Sequence, residues 1–585
     1  MREEVRKVTL GDEDADLVLR GGTVVSTPDR ETREVDVAVK NGRVASLRDD
    51  ATDVVGDETE VIDVSGKYVS PGFIDVHTHL DLHQNVEKSY HRALEGGTTA
   101  AVSEVAALGP TFGSEGVEEF LKATSGIEFD VYATVPPQPL FDAFEPRRAD
   151  NDEAERLVDL LSHPRVVGVG ETSWIRLVGR DTPAEILYEA AKEERKRVTG
   201  HGAGCSDENY EAFASVIDDD HEAISGDGLL ERVENGVHAV GRYGSIRDDI
   251  RAVGDAYDEV GFSPEISLST DGMWPRELVD EGYMDVVVRK AIEEGVDPID
   301  AVSMATYVPA RYYGLEDVGS LTPGKTANIA VLDSLEEVEV STVLYEGEVV
   351  YDSESGKAPS PEDGDREGHD YPDRFYDYID VTTDVDDLRV DSDVAVDGEV
   401  RGIEYSGGLL SGETAVEPRE EDGELLSDPE NDVLKISLLD RHPDSDGTGF
   451  TGFVTGFGID EGAVATTLTW ETPGVLAVGA DDDETVRAVE RINEINGGWA
   501  VVRDGEVIAE LPAKLGGVCS DMRVEETARL YDEVEDAIEC LGSDVDRPML
   551  GLQTLAFFGV PSLKMSFSGY ADVLSREVVG LNLDG

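Results

Sequence analysis

Three of the chain's ten histidines fall in "SPGFIDVHTHLDLH", residues 70–83. If the apolar run Phe73–Val76 is a strand, alternate side chains share a face, so His77 and His79 point together and can bind one metal ion. Taken alone, such a pair is equally well a solvated or hydrogen-bonded one. The same event repeats at four later places, an apolar run ending in a residue able to ligate metal. "RVVGVGE" ends in Glu171, "RVTGH" in His201, "ASVIDDDH" reaches His221, and "EISLSTD" ends in Asp271. Brought together, four imidazoles and two carboxylates form a nitrogen and oxygen set for one or two divalent ions, and Mn, Fe and Zn all suit it. Such an ion lowers the pKa of bound water toward neutrality, which is hydrolytic chemistry.

Positioning six ligands at run ends requires a particular scaffold. Residues 71–315 alternate short apolar runs with helical stretches such as "GVEEFLKAT", "TPAEILYEAAKEERKR" and "YMDVVVRKAIEEG". This is the pattern of an α/β fold with a parallel sheet, and its length suits a (β/α)8 barrel, whose strand C-termini converge on one mouth. Residues 1–70 and 316–352 are strand-rich and are expected to form one small split β domain, with "KNGR" as an Asn-Gly hairpin signal. Residues 353–375 are polar and unperiodic, the composition of a linker. Residues 376–585 mix strands with helices and read as an additional C-terminal α+β domain.

The chain has 585 residues, 128 Asp plus Glu against 49 Lys plus Arg, a formal net charge of -79 and a pI near 4.2. Nucleic acid and anionic membranes are therefore poor partners. Disorder is not expected, because 39% of residues are hydrophobic and recur in runs. Carboxylates clustered as in "DEDAD" repel one another unless salt screens them, which points to a salt-adapted, haloarchaeal-type cytoplasm. Cys205, Cys519 and Cys540 show no disulfide or zinc spacing. No signal-like or membrane-length apolar segment is present in the sequence, so a cytoplasmic protein is expected.

His-x-His followed by Glu, His, His and Asp on successive run ends resembles the amidohydrolase superfamily. The likeness narrows to adenine deaminases through "HPRVVGVGE", "GHGAG", "DDHEA", the stretch from "GYMDVVVRKAIEEG" to "GKTANIAVLD", and the tail "TGFVTGFGIDEGAVATT…VCSDM…PSLKMSFSGYADV". The resemblance implies metal ligands at His77, His79, Glu171, His201, His221 and Asp271, with Glu171 bridging two ions, Mn or Fe or alternatively Zn. It implies hydrolysis of adenine, a small-molecule purine, to hypoxanthine and ammonia. A homo-oligomer is also implied. Asp271 can hold the metal-bound water and accept its proton as general base, and Glu222, next to His221, is the candidate proton shuttle, its plainer reading in so acidic a chain being surface charge. The zinc deaminases of nucleic acids are a separate class, since no His-x-Glu with Pro-Cys-x-x-Cys occurs.

The chain departs from the family where substrate should be touched. Asp81, Leu82 and His83 replace Glu-Ser-Ser, Ala106 and Ala107 replace His-Glu, Gly272 to Trp274 replace Asp-Arg-His, and "WETPG" from Trp470 replaces His-Asp-Ser-His. Since a ring is read by hydrogen bonds to its edge, two alternatives stay open. One is hydrolysis of a cyclic amide or another amino-heterocycle at the same site; the other is a non-catalytic ligand-binding homologue. Trp274, Arg242 and His83 are the candidate substrate contacts, with Trp174 and Trp470 as further rings able to stack on a base or to sit in a core. For His83 and His91 the plainer reading is an exposed helical position, for Cys205 a small buried residue, and for His238 a structural one.

Overall fold

The computed structural model describes residues 2–141, 151–179, 182–359, 369–442, 445, 448–470 and 472–583. Eight strands follow one another around a single parallel sheet in chain order: β1 Phe73–Thr78, β2 Thr98–Ser103, β3 Asp130–Val135, β4 Val166–Ser173, β5 Arg197–His201, β6 Asp219–Asp220, β7 His238–Arg242 and β8 Ile266–Ser269. Amphipathic helices such as Ser114–Ala123, Glu185–Glu194 and Met284–Glu293 bury their apolar faces on its outside. The result is a nearly closed (β/α)8 barrel.

Its last seam is closed by side chains, with no ladder between β8 and β1 among the described residues. Asp75, fully buried on β1, accepts from the Ser269 hydroxyl at 2.8 Å and the Thr270 hydroxyl at 2.5 Å. Tyr283 adds a bond to Thr78 at 3.0 Å, and Thr78 meets Thr270 at 3.2 Å.

The two strand-rich pieces flanking the barrel in sequence pair with each other. Strand Ile329–Ser334 runs antiparallel to Tyr68–Pro71, from Ile329 opposite Pro71 to Leu332 opposite Tyr68. The Asn-Gly signal becomes a tight hairpin between Asp36–Lys40 and Arg43–Arg48, with φ of 50° at Asn41 and 71° at Gly42. Both central residues at positive φ are what a two-residue hairpin needs to match strand twist. A helix at Arg2–Leu10 buries Val5 and Val8 against this unit; three apolar residues in nine, with Leu10 exposed, were too few for the sequence to signal it.

The C-terminal part is built on an eight-stranded mixed sheet. Helix Asp482–Glu494 covers one face through Ala488, Val489 and Ile492, and helix Val524–Cys540 covers the other through Tyr531, Val534 and Ile538. This part is bound to the barrel. The segment just past His79 forms a parallel pair with it, His83 opposite Cys519 and Gln84 opposite Ser520. Of the stretch read as a linker, residues 360–368 lie outside the described residues. Its end is held against the barrel: His369 sits 2.7 Å from Glu119, Tyr371 donates to Glu87 at 3.0 Å, and Phe375 stacks on Phe112 at 3.7 Å. Among the described residues no helix is long and apolar enough to cross a membrane.

Candidate metal centre

At the C-terminal mouth of the barrel, β1, β4, β5, the end of β6 and the end of β8 bring His77, His79, Glu171, His201, His221 and Asp271 together. Glu171 Oε1 is the hub, 3.4 Å from Nε2 of both His77 and His79, 3.5 Å from His201 Nδ1 and 3.0 Å from His221 Nε2. Asp271 Oδ1 lies 3.3 Å from His77 Nε2 and 3.5 Å from His79 Nε2. His77, Glu171, His221 and Asp271 can share one ion, and His201, His221 and Glu222 a second, with His221 common to both groups.

The residues fit a divalent cation. His77 Nε2, His201 Nδ1 and Asp271 Oδ1 are buried with no hydrogen-bond partner among the described residues, although buried polar atoms are nearly always satisfied. Lone pairs converging on one point are satisfied by a cation there, and the mixed imidazole and carboxylate set suits a first-row divalent metal. The electrostatics agree. Burial opposes protonated imidazoles, yet Glu171 and Asp271 outweigh it at His79, lifting it to about 10, and Glu222 and Glu171 lift His201 to about 9. Burial likewise would raise Glu171 and Asp271, but the imidazoles and, for Asp271, chiefly Arg242 hold both well below the usual carboxylate range. The site favours positive charge.

Glu222 and Arg242 border the same cavity. The Arg242 Nη1 donates to Glu222 Oε1 and to Asp271 Oδ2, each at 2.7 Å. Against burial, Arg242 first and His201 next drive Glu222 down to about 2. Arg242, expected as a substrate contact, is thus largely spent in fixing two carboxylates.

Trp274 and His83, also expected to touch substrate, do not line the cavity. Trp274 is 1% exposed, and its ring packs on His83 at 4.7 Å and Tyr531 at 5.7 Å, inside the core of the C-terminal part. Proximity in sequence to Asp271 does not survive the turn at Gly272, where φ is 121°. His83 is buried rather than exposed on a helix, and burial beside Arg547 lowers its pKa to about 3. His91 is buried too and meets Glu525 at 3.0 Å. Cys205 is buried, which pushes its thiol up to about 12, and His238 bonds Ser267 at 2.8 Å and stacks on Tyr312. Trp174 donates to the Ala203 carbonyl at 2.8 Å.

Glu104 is a residue that the sequence reading passed over. Its Oε1 lies 3.3 Å from His77 Nδ1, and its Oε2 accepts from the Glu171 backbone N–H at 2.7 Å. Gly170 makes room for it, since a Cβ there would stand 2.7 Å from Glu104 Oε2. The signal was present: Glu104 follows the run "TTAAVS" just as Glu171 follows its own. The rest of the cavity wall is mostly apolar, with Leu82, Ala106, Pro110 and Ile246 from the barrel part and Leu409, Trp470, Phe557 and Val560 from the C-terminal part.

Barrel and metal-competent mouth define a class. Residues 68–350 match the amidohydrolase family, and residues 409–577 match the adenine deaminase C-terminal domain. The chain is 31% identical to a protein named adenine deaminase from Moorella thermoacetica, over 99% of this chain and 97% of that one. It is 30% identical to another so named from Methanothrix thermoacetophila, over 98% of each. The chain belongs to the adenine deaminase family. Among solved structures, one titled as an adenine deaminase aligns over 58% of this chain and 100% of that one, at 18% identity and a TM-score of 0.45.

Proposed function

We propose that the protein hydrolyses adenine to hypoxanthine and ammonia. The observation that carries this reading is the ligand set around Glu171 in a chain related to adenine deaminases along its whole length. His77, His79, Glu171, His201, His221 and Asp271 would hold one or two divalent ions, Mn or Fe with Zn as alternative, and such an ion, when bound, makes a coordinated water acidic enough to attack near neutral pH.

This chain's residues handle the protons. Asp271, held ionised by Arg242, accepts the proton that the attacking water loses at C6 of the ring. Glu222 lines the cavity and binds protons weakly because Arg242 is 2.7 Å away. A proton reaching Glu222 therefore passes on readily to the far more basic departing amine. The apolar wall excludes bulk water and offers flat surfaces to a planar heterocycle.

The test is chromatographic. Full-length protein loaded with Mn or Fe in molar KCl is expected to convert adenine to hypoxanthine, and Asp271→Ala to lose at least about a thousandfold in kcat. Cyclic amides turned over in place of adenine would redirect the reading to the alternative hydrolase, and an Asp271→Ala variant of full activity would remove the site.

A further inference from the structure

The cavity wall contains two polar groups that neither the ligand set nor the proton path uses. Gln138, just after β3, faces the cavity, and its Oε1 is buried with no hydrogen-bond partner among the described residues. Its amide orientation is fixed, because Nε2 is the atom directed at the Glu171 carbonyl, 3.4 Å away, and only an N–H can face a carbonyl. The free acceptor therefore belongs to Oε1. Trp470 lines the cavity from the C-terminal part, and its Nε1–H is likewise buried with no hydrogen-bond partner among the described residues. Its backbone has φ of 53°, a conformation that bulky residues rarely adopt, and its ring stands edge-on to Phe557 at 4.6 Å. Strain at a cavity-lining residue with an unspent donor is the mark of a position retained for a ligand.

We infer that Gln138 and Trp470 are specificity-determining residues that read the edge of the substrate ring. Gln138 Oε1 accepts from the N–H of the five-membered ring, and Trp470 Nε1–H donates to a ring nitrogen lone pair. This deepens the adenine reading and rests on it. A free purine base carries both features, one N–H and lone-pair nitrogens, on the side of the ring away from the reacting carbon. A base substituted at that nitrogen lacks the N–H and leaves Gln138 Oε1 without its partner.

The experiment is steady-state kinetics on the metal-loaded full chain with adenine, 9-methyladenine, 3-deazaadenine and 7-deazaadenine. Trp470→Phe, which keeps the ring and removes the donor, is expected to lower kcat/KM for adenine about tenfold, the effect of one unpaired hydrogen-bonding group. Because N3 is the lone-pair nitrogen on the side away from the reacting carbon, it should leave 3-deazaadenine unaffected and lower 7-deazaadenine as it lowers adenine. Gln138→Leu should lower adenine by a similar factor and leave 9-methyladenine unaffected. The analogues also test the unmodified protein, which should prefer adenine over 9-methyladenine by tenfold or more whether or not either variant folds. Wild-type protein that forms no hypoxanthine overturns both the function and this inference. Wild-type turnover with variants of unchanged kcat/KM and no preference over 9-methyladenine overturns the inference alone.

Discussion

Glu104 shows how much of a metal site lies behind its ligands. Its two oxygens fix the orientation of His77 through Nδ1 and the position of Glu171 through the backbone N–H. A carboxylate behind a ligating imidazole sets which nitrogen faces the metal and raises its basicity, and removing it usually costs 10- to 100-fold in affinity. Glu104→Gln is therefore expected to weaken metal binding by about that factor in chelator competition, with little change in the melting temperature of the metal-free protein. Unchanged affinity would mean that His77 is oriented without it. Glu104, Trp274 and Trp470 also mark what a sequence shows at this scale. A ligand at the end of an apolar run is legible, because run, strand end and barrel mouth are linked by one geometric rule. A ring's direction is not, because the turn after Asp271 and the core behind it decide that Trp274 faces Tyr531 and leave Trp470 to the cavity.

At the scale of elements, local signals carried the split β unit, the hairpin at Asn41 and Gly42, and the alternation that makes the barrel. How the barrel closes was not legible, because the seam joins residues nearly two hundred positions apart through hydroxyls that look ordinary in sequence. Asp75 holds β1 to β8 through Ser269 and Thr270, the last two positions before ligand Asp271. Asp75→Ala would remove the two seam bonds that its carboxylate accepts from Ser269 and Thr270, at a cost of about 3 kcal/mol, expected as a fall of several degrees in melting temperature and as lost metal affinity. A pH effect accompanies it. Burial outweighs the hydrogen bonds to Asp75 and raises its pKa above the ordinary carboxylate value. Between those two values the folded state holds a proton that the unfolded state has released, so stability falls as pH rises through that window and is flat above it. Asp75→Asn should flatten that slope, and a slope identical to wild type would assign it to other groups.

For the whole molecule the dominant quantity is charge, and two electrostatic effects of opposite sign meet in it. Ion pairs join the C-terminal part to the barrel, Arg276 to Glu535 at 2.6 Å, Arg547 to Glu277 at 2.8 Å and Arg92 to Glu525 at 3.1 Å. Salt weakens such pairs, but they are partly buried: the Glu535 and Glu277 side chains are each 10% exposed. Partly buried pairs are screened less than exposed ones, and exposed pairs contribute little in any case. Against them stands repulsion among 128 carboxylates with 49 cations to balance them. Most of that repulsion acts through water over distances comparable to the screening length, which falls from about 10 Å at 0.1 M to about 3 Å at 1 M. Screening therefore removes more repulsion than attraction. The melting temperature is expected to rise steadily with KCl from 0.1 to 2 M, and activity with it, because the cavity wall is shared by both parts of the chain and opens when they separate. A melting temperature that falls with salt would show that the interface pairs outweigh the surface.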